Sequence, residues 1–489
     1  MKKTFINYLI VPVILVMSGA CSSDFLDTKP TGSLSQDQQD EVAIEDPIKA
    51  FSPIISGLYN SMVGYYSQHD EFGHPTVFLA TDLMANDMVQ LANHWFYSYY
   101  QNDNRMANYR SSNHYWTKLY YPLIYNCNLV LKSYPREGYD NLSNDAKILA
   151  GQALAIRANS YYYLVRLFAK NYKGNEDGPG VPIWLAETDA ADHQPRAKIS
   201  AVYTRIVQDL EDAIKLLEGQ PRESINNVDY YTACAILADV SLTINNWGDA
   251  VKYAQEARKG SATLSTIDTY MSQFKGNLNA SEWIWGMDIN GENTNLYASL
   301  YSHLDNTIDG YCGIGVYKAW DARLYEQIPQ TDVRRQCALP NNQYISMKYQ
   351  TPGDFTGDIC YIRIAEMYLI EAEAQARAGN DGLAQNVLYE LVKNRDPQAT
   401  KSTKTGNDLI EEILFQKRIE MWGEGRSWFD LKRIGGSIER KNTINGVATN
   451  HRVDAQLQFG PNDNHWVFQI PKKEIEANQN INEEDQNPA

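Results

Sequence analysis

Small and apolar side chains recur every three or four residues through much of this chain, and the segments that carry them come in adjacent pairs split by a polar turn. Asp145–Tyr172 places Ala153, Ile156, Ala158, Tyr161, Tyr162, Leu164 and Val165 at such spacings, and Ile199–Glu218 lines up Val202, Ile206, Leu210, Ile214 and Leu217. Asp229–Asn245 and Trp247–Arg258 meet at Asn245–Asn246, and Ile362–Ala378 and Gly382–Arg395 meet at Gly379–Asn380–Asp381. A period near 3.6 demands helices with one buried face. Ala235, Ala238, Ala254, Ala257, Ala365, Ala372 and Ala376 mark the places where two helices must approach closely. The expected fold is mainly α: a tetratricopeptide-like helical-repeat scaffold with long loop-rich inserts carrying minor β. Periodicity alone does not separate that from an irregular helical bundle, because the spacing drifts.

Two stretches do not fit the helical array, 69–113 and 264–360, and inserts on a rigid scaffold are where function usually resides. The 489 residues include 33 tyrosines and 10 tryptophans, side chains that join a flat apolar face to a hydrogen-bonding tip. Many fall in the inserts. His94–Trp116 interleaves Trp95, Phe96, Tyr97, Tyr99, Tyr100 and Tyr109 with Gln101, Asn102, Asp103, Asn104, Arg105, Asn108 and Arg110. Sugars present C–H faces that stack on rings and hydroxyls that pair with amides and guanidinium groups, and this segment offers both. Tyr115 and Trp116 open a helix expected over Tyr115–Ser133 and are assigned to the core. In the second insert Trp283 and Trp285 alternate in a strand-like run, so both are expected on one side. Tyr297, Tyr301 and Tyr311 sit among Asn and Gly and are better ligand candidates. The candidate ligand contacts are therefore Asn93, Trp95, Phe96, Tyr97, Tyr99, Tyr297, Tyr301 and Tyr311. The tail after Gly435 reads as loop, with a short strand expected at Trp466–Ile470.

A net charge of −16 repels nucleic acid and anionic headgroups. Catalytic signatures are missing: there is no H-E-x-x-H, no G-x-S-x-G, no P-loop and no dinucleotide fingerprint. No cofactor, metal or catalytic residue is assigned. His303 near Asp305 and Asp309 reads as a solvated loop histidine rather than a ligand. Glycoside hydrolysis needs only two carboxylates and is untestable among 60 acidic residues. Cys127 and Cys234 read as buried helix residues; among Cys312, Cys337 and Cys360, two are near enough in a loop-rich region to pair.

At the start of the chain, Lys2 and Lys3 precede the apolar run Tyr8–Met17 and the small residues Ser18, Gly19 and Ala20, the layout of a secretory signal. Cys21 follows, as in a bacterial lipobox, although Ser18 stands where such motifs have Leu. The expected order is a signal peptide over 1–20, a tether over 21–45 lipidated at Cys21, and one domain over 46–489. About 24 tether residues span at most roughly 80 Å. Asp46–Pro47 is a good cap and first turn for a helix over Ile48–Met62.

The segment Ile410–Ile434 sets Arg418, Glu420, Glu424, Gly425, Arg426, Trp428, Asp430, Leu431 and Arg433 close together. The Arg426–Asp430 and Asp430–Arg433 spacings suit helix ion pairs, so a partly buried ion network beneath Trp422 and Trp428 is expected. The block resembles the E-R-x-x-E-x-x-x-E-G-x-R-x-x-D-L-x-R signature of the SusD/RagB family, with Lys417 where the acidic residue usually stands. Phe25–Leu26–Asp27, Trp116–Asn128, Arg157–Leu167, Ile364–Ala378 and Ile470–Pro471 to Gln486–Asn487–Pro488 are similar to further family motifs in the same order. The resemblance implies about four tetratricopeptide-like helix pairs. It implies a non-catalytic outer-membrane lipoprotein facing the cell exterior, which captures a glycan and passes it to a SusC-like TonB-dependent transporter. The alternatives are the same architecture binding peptides, or a surface glycosidase. The ion-network block would be scaffold, and the segment after Thr81–Asp82–Leu83–Met84 is where the family often places ligand contacts.

Overall fold

The computed structural model describes residues 46–189, 192–444 and 446–489. The signal segment 1–20, Cys21 and the tether 21–45 lie outside the described residues. The chain divides into Met1–Pro53 and Ile54–Ala489. In the first unit, Asp46 Oδ1 accepts the Lys49 N–H at 3.1 Å, capping helix α1 (Pro47–Met62) as its sequence implied. All that follows concerns the second unit.

The scaffold is helical. Its principal helices are α2 (Pro75–Met84), α3 (Tyr121–Lys132), α4 (Asn144–Phe168), α5 (Ile199–Leu217), α6 (Tyr230–Thr243), α7 (Trp247–Ala257), α8 (Ile364–Arg377), α9 (Asp381–Val392), α10 (Gly406–Glu420) and α11 (Ser427–Arg433). α3 packs on α4, α4 on α5, α6 on α7, α8 on α9, and α8 also on α7 and α10. Pairing by adjacency is what the tetratricopeptide-like reading requires. Start signals are local: Ser143 caps α4, Asp229 caps α6 and Asn246 caps α7, each accepting a backbone N–H two or three residues inside its helix. Asn245 adopts φ +63° between α6 and α7, a conformation Asn tolerates better than most residues.

Close approach of α8 to its neighbours depends on Ala365, Ala372 and Ala376, which pack with Ala384, Leu388 and Leu391 of α9 and Leu409 and Ile413 of α10. Each buried Leu or Ile contributes about 1.5–3 kcal/mol, provided no larger side chain holds the helices apart. The expected Tyr115–Ser133 helix begins as a π-helical turn, His114–Tyr120, before continuing as α3, and Tyr115 and Trp116 are buried in the core.

The strands are short, and six of them bear on the site: β1 (Met88–Gln90), β2 (Trp283–Met287), β3 (Lys318–Trp320), β4 (Ala338–Leu339), β5 (Ile345–Ser346) and β6 (Ile359–Arg363). The tail expected to be loop also holds short strands, Ile438–Arg440 pairing with Leu457–Phe459. β2 pairs antiparallel with β6. Trp283 and Trp285 are both buried, but the register shifts between them, and their indole N–H groups donate to different segments, at Gln273 O and Asn226 O. The other four of these six form one sheet in the order β1-β3-β5-β4. Its first rung joins the two inserts, with Met88 opposite Trp320 and Gln90 opposite Lys318.

Two local expectations are corrected. Trp466–Ile470 does not form a strand; its backbone is used singly, Phe468 N–H donating to Leu167 O and Gln469 N–H to Arg105 O. His303 is not solvated: it is buried on a short helix, and its Nε2 donates to His69 O at 2.8 Å. The five described cysteines are free, with Cys127 and Cys234 buried on α3 and α6. Among the described residues no helix is long and apolar enough to cross a membrane.

The ion network is more deeply buried than its spacing implied. Glu420 accepts from Arg363 Nη1 at 3.1 Å, Arg395 Nη2 at 3.0 Å and Arg334 Nη1 at 3.4 Å. Glu424 receives Lys348 at 2.6 Å and Arg363 at 2.8 Å, and Glu282 receives Arg363 at 2.6 Å and Arg395 at 2.7 Å. Asp332 completes the set on Arg334, so four acids face four bases and the formal charges cancel. Asp430 and Arg433 pair at 2.7 Å, as helix spacing suggests. Arg426 does not pair with Asp430; its guanidinium grips Glu366 at 2.5 and 2.9 Å, because burial turns it toward α8.

Candidate functional site

The antiparallel rung between β1 and β3 decides where the site forms. Leu91 N–H extends the ladder to Tyr317 O at 3.0 Å, so the chain leaving β1 runs beside the chain entering β3. Residues 91–97 therefore lie against 311–317, and the aromatic groups of the two inserts become one surface.

Phe96 then separates inward from outward side chains. It adopts φ +69°, costing about 1–2 kcal/mol for a residue with a Cβ, and its buried ring packs on Phe72 and on His303 with centroids 5.9 and 4.9 Å away. Ring burial offsets the strain. Gln90 Nε2 donates to Ala92 O and Trp95 O, both at 3.0 Å, holding the loop so that Trp95 stays half-exposed.

Around Trp95 a platform assembles. His69 stacks on it at 5.7 Å and 16°, the Arg110 guanidinium lies 5.2 Å from its ring, and Tyr311 meets it at 6.4 Å and 65°. Tyr311 Oη sits 2.7 Å from His69 Nδ1, with the Tyr311 ring stacked on buried His303 at 4.9 Å. Tyr297, 44% exposed, adds its ring 5.9 Å from Tyr311 and 5.3 Å from Phe355. Exposed His94 lies 5.0 Å from Tyr311, and Tyr65, 45% exposed, edges onto His69. Thr294 Oγ1, donating to Phe355 O, and Asn295 Nδ2, donating to Val63 O, pin the Tyr297 loop.

Electrostatically the platform is mild. Burial raises the Asp70 carboxyl, and Arg110, donating to it at 2.9 Å, opposes that rise. Burial, helped by nearby Lys318, lowers His94 and holds His303 well below the ordinary histidine range. Lys318 itself is pushed down to about 8 by burial. Neutral rings, amides and a single guanidinium favour stacking and hydrogen bonding over proton transfer.

Of the sequence candidates, Asn93, Trp95, Tyr297 and Tyr311 reach the surface. Phe96, Tyr97, Tyr99 and Tyr301 do not, being 2%, 4%, 1% and 5% exposed. Each buried hydroxyl has a structural partner: Tyr97 takes Arg452 Nε at 2.9 Å, Tyr99 meets Tyr115 at 3.1 Å, and Tyr301 donates to Asp358 O at 2.8 Å. Sequence reasoning did not single out His69, Tyr65, Phe355 or, as a ring partner, Arg110. No local pattern marks them, since His69 gains its role only by facing Trp95 and Tyr311 across the fold. Among the described residues no three His, Cys, Asp or Glu side chains are grouped to hold a metal ion.

The SusD family model matches residues 334–489, and a SusD-like model described as starch-binding, associating with outer membrane, matches residues 24–243. The chain belongs to the SusD family. Among relatives of this SusD-family chain, SusD-like protein P2 of Formosa agariphila is 24% identical over 395 residues, covering 69% of this chain and 74% of the relative. A SusD-like protein of Bacteroides ovatus is 22% identical over 521 aligned positions, covering 93% and 89%. The fold is shared with solved structures. A SusD-like carbohydrate binding protein of Bacteroides vulgatus superposes with a TM-score of 0.79 at 24% identity, over 90% of this chain and 98% of the other. A SusD superfamily protein of Bacteroides thetaiotaomicron gives 0.74 at 22% identity, over 90% and 100%.

Proposed function

We propose that this SusD-family chain is a non-catalytic glycan-capture protein, lipid-anchored through Cys21 after removal of residues 1–20. It holds oligosaccharide or polysaccharide at the outer cell surface for a partner TonB-dependent transporter. The observation that carries the reading is the platform on which Trp95, Tyr297 and Tyr311 present half-exposed rings beside Arg110, His69 and His94. Sugar C–H faces stack on such rings, while the imidazoles and guanidinium supply directional partners for hydroxyls. A family model described as starch-binding, and a similar fold in a carbohydrate binding protein, support the ligand class. Calorimetry of the mature chain against a polysaccharide panel tests it: binding to at least one glycan that is lost in the Trp95→Ala, Tyr311→Ala double variant is expected. Binding to peptides but to no glycan overturns it.

A further inference from the structure

We propose that a small apolar recess beside Tyr297 makes the platform selective for glycans whose sugars bear a substituent ending in a methyl group, an acetyl or a 6-deoxy carbon. This rests on the glycan reading of the platform and names what that glycan carries. The recess, of about 20 Å³, includes Phe355 in its wall, and the Phe355 ring lies 5.3 Å from that of Tyr297. Buried Val63, Phe72, Leu300 and Ile359 form its floor, and half-exposed Asn293, Asn295, Ser299 and Phe355 its mouth. That volume is somewhat above the roughly 10–15 Å³ that seats one water molecule, and a methyl group is of similar size.

Water is a poor occupant, because it needs two to four polar partners and the polar side chains here are turned to the protein. Asn293 accepts the Asn290 N–H at 2.8 Å and donates to Asp288 O at 2.9 Å. Asn295 Nδ2 donates to Val63 O at 2.6 Å, Ser299 Oγ to Leu296 O at 2.7 Å and Tyr301 Oη to Asp358 O at 2.8 Å. The two loops at the mouth are held in strained backbone: Leu296 adopts φ +50° and Phe355 φ +63°, a conformation unfavourable for residues with a Cβ and concentrated at ligand sites. Leu296, 54% exposed between Asn295 and Tyr297, offers a hydroxyl nothing to pair with. A sugar lying on Tyr297 carries its substituents outward around its own ring, so one ending in a methyl group reaches across to Phe355 and the recess. A hydroxyl placed there loses its water and gains no partner.

The test is calorimetry on the mature chain with matched pairs. These are O-acetylated xylose and mannose oligomers beside the same oligomers after alkaline deacetylation, chitotetraose beside cellotetraose, and D-rhamnose oligomers beside D-mannose oligomers of the same linkage. The arms separate an O-acetyl, an N-acetyl and a 6-deoxy methyl. At least one substituted member is expected to bind about fivefold or more tighter than its bare partner, the scale of one methyl group in a fitted apolar site. Val63→Leu, which fills the recess from its floor, should bring that member to its partner's level and leave the partner's own binding unchanged. Ser299→Leu, filling it from the mouth, should do the same, and circular dichroism shows which variants fold. Pairs that bind equally, a bare partner that binds tighter, or a preference that survives in either folded variant overturns the proposal. Another glycan held through Trp95 and Tyr311, with no pair member bound, sinks the recess alone; no glycan binding at all sinks both readings.

Discussion

Trp95 and Tyr311, from separate inserts, stand 6.4 Å apart at 65°, and both touch the ring of His69. Stacking worth about 0.5–1.5 kcal/mol per ring, beyond area burial, makes this pair the energetic centre of the platform. Trp95→Ala and Tyr311→Ala are each expected to weaken glycan affinity by about 1–2 kcal/mol, and a double-mutant cycle by calorimetry should show coupling. Affinity unchanged in both single variants would remove the platform from the site.

Phe96 behaves differently, although it is the next residue. Its ring is buried against Phe72 and His303. Phe96→Ala should destabilise the fold by about 3–5 kcal/mol and loosen the Trp95 loop. Denaturant unfolding measures the first effect. A midpoint equal to the parent's contradicts the assignment of Phe96 to the core.

Glu420 is fully buried among Arg334, Arg363 and Arg395. Glu420→Gln strands uncompensated positive charge and should cost about 3–5 kcal/mol, read as a lower urea midpoint. A loss below 1 kcal/mol, order of magnitude for an exposed pair, would mean that water reaches these groups.

Acid should act through two further carboxylates. Burial alone would raise both, but Arg433 beside Glu373, and Arg363 with Lys348 beside Glu424, hold each at about 2. A folded-state pKa below the ordinary value of 4.5 means the folded form binds fewer protons than the unfolded chain. The stability is fully present above pH 4.5 and drains as the pH falls toward about 2. Each carboxylate carries about 3 kcal/mol at neutral pH. Urea midpoints measured from pH 6 downward should fall steeply below about 4.5 in the parent, and less steeply in Glu373→Gln. Parallel curves would show that Glu373 is not held down.

Gly425 tests a backbone requirement. It adopts φ +75°, and a Cβ built there would sit 2.5 Å from Phe78 Cα on α2. Gly425→Ala must move either α11 or α2 and should destabilise by more than the roughly 1 kcal/mol of an ordinary Gly-to-Ala strain. Thermal unfolding decides it, and an unchanged midpoint would mean the two segments separate freely.

Much of the scaffold was legible because its information is local. The α6–α7 and α8–α9 pairs follow from apolar spacing, their turns from Asn245 and Gly379, and their closeness from alanines. The signature block foretold an ion network, and the Asp430–Arg433 pair came straight from helical spacing. Arg426 did not follow that rule, because spacing states which side chains are near on one helix and not which neighbour a buried guanidinium will meet.

The aromatic residues show the same division. Composition and insert placement determined that Trp95, Tyr297 and Tyr311 are ring-bearing groups in segments outside the helical array. Only tertiary structure decided that Phe96, Tyr97, Tyr99 and Tyr301 turn inward, and that His69 stands between Trp95 and Tyr311. An aromatic ring suits a core and a sugar-binding face equally well, so its identity leaves the choice open. The choice was made by the β1–β3 rung and the left-handed turn at Phe96, contacts between residues far apart in the chain, which no local pattern encodes.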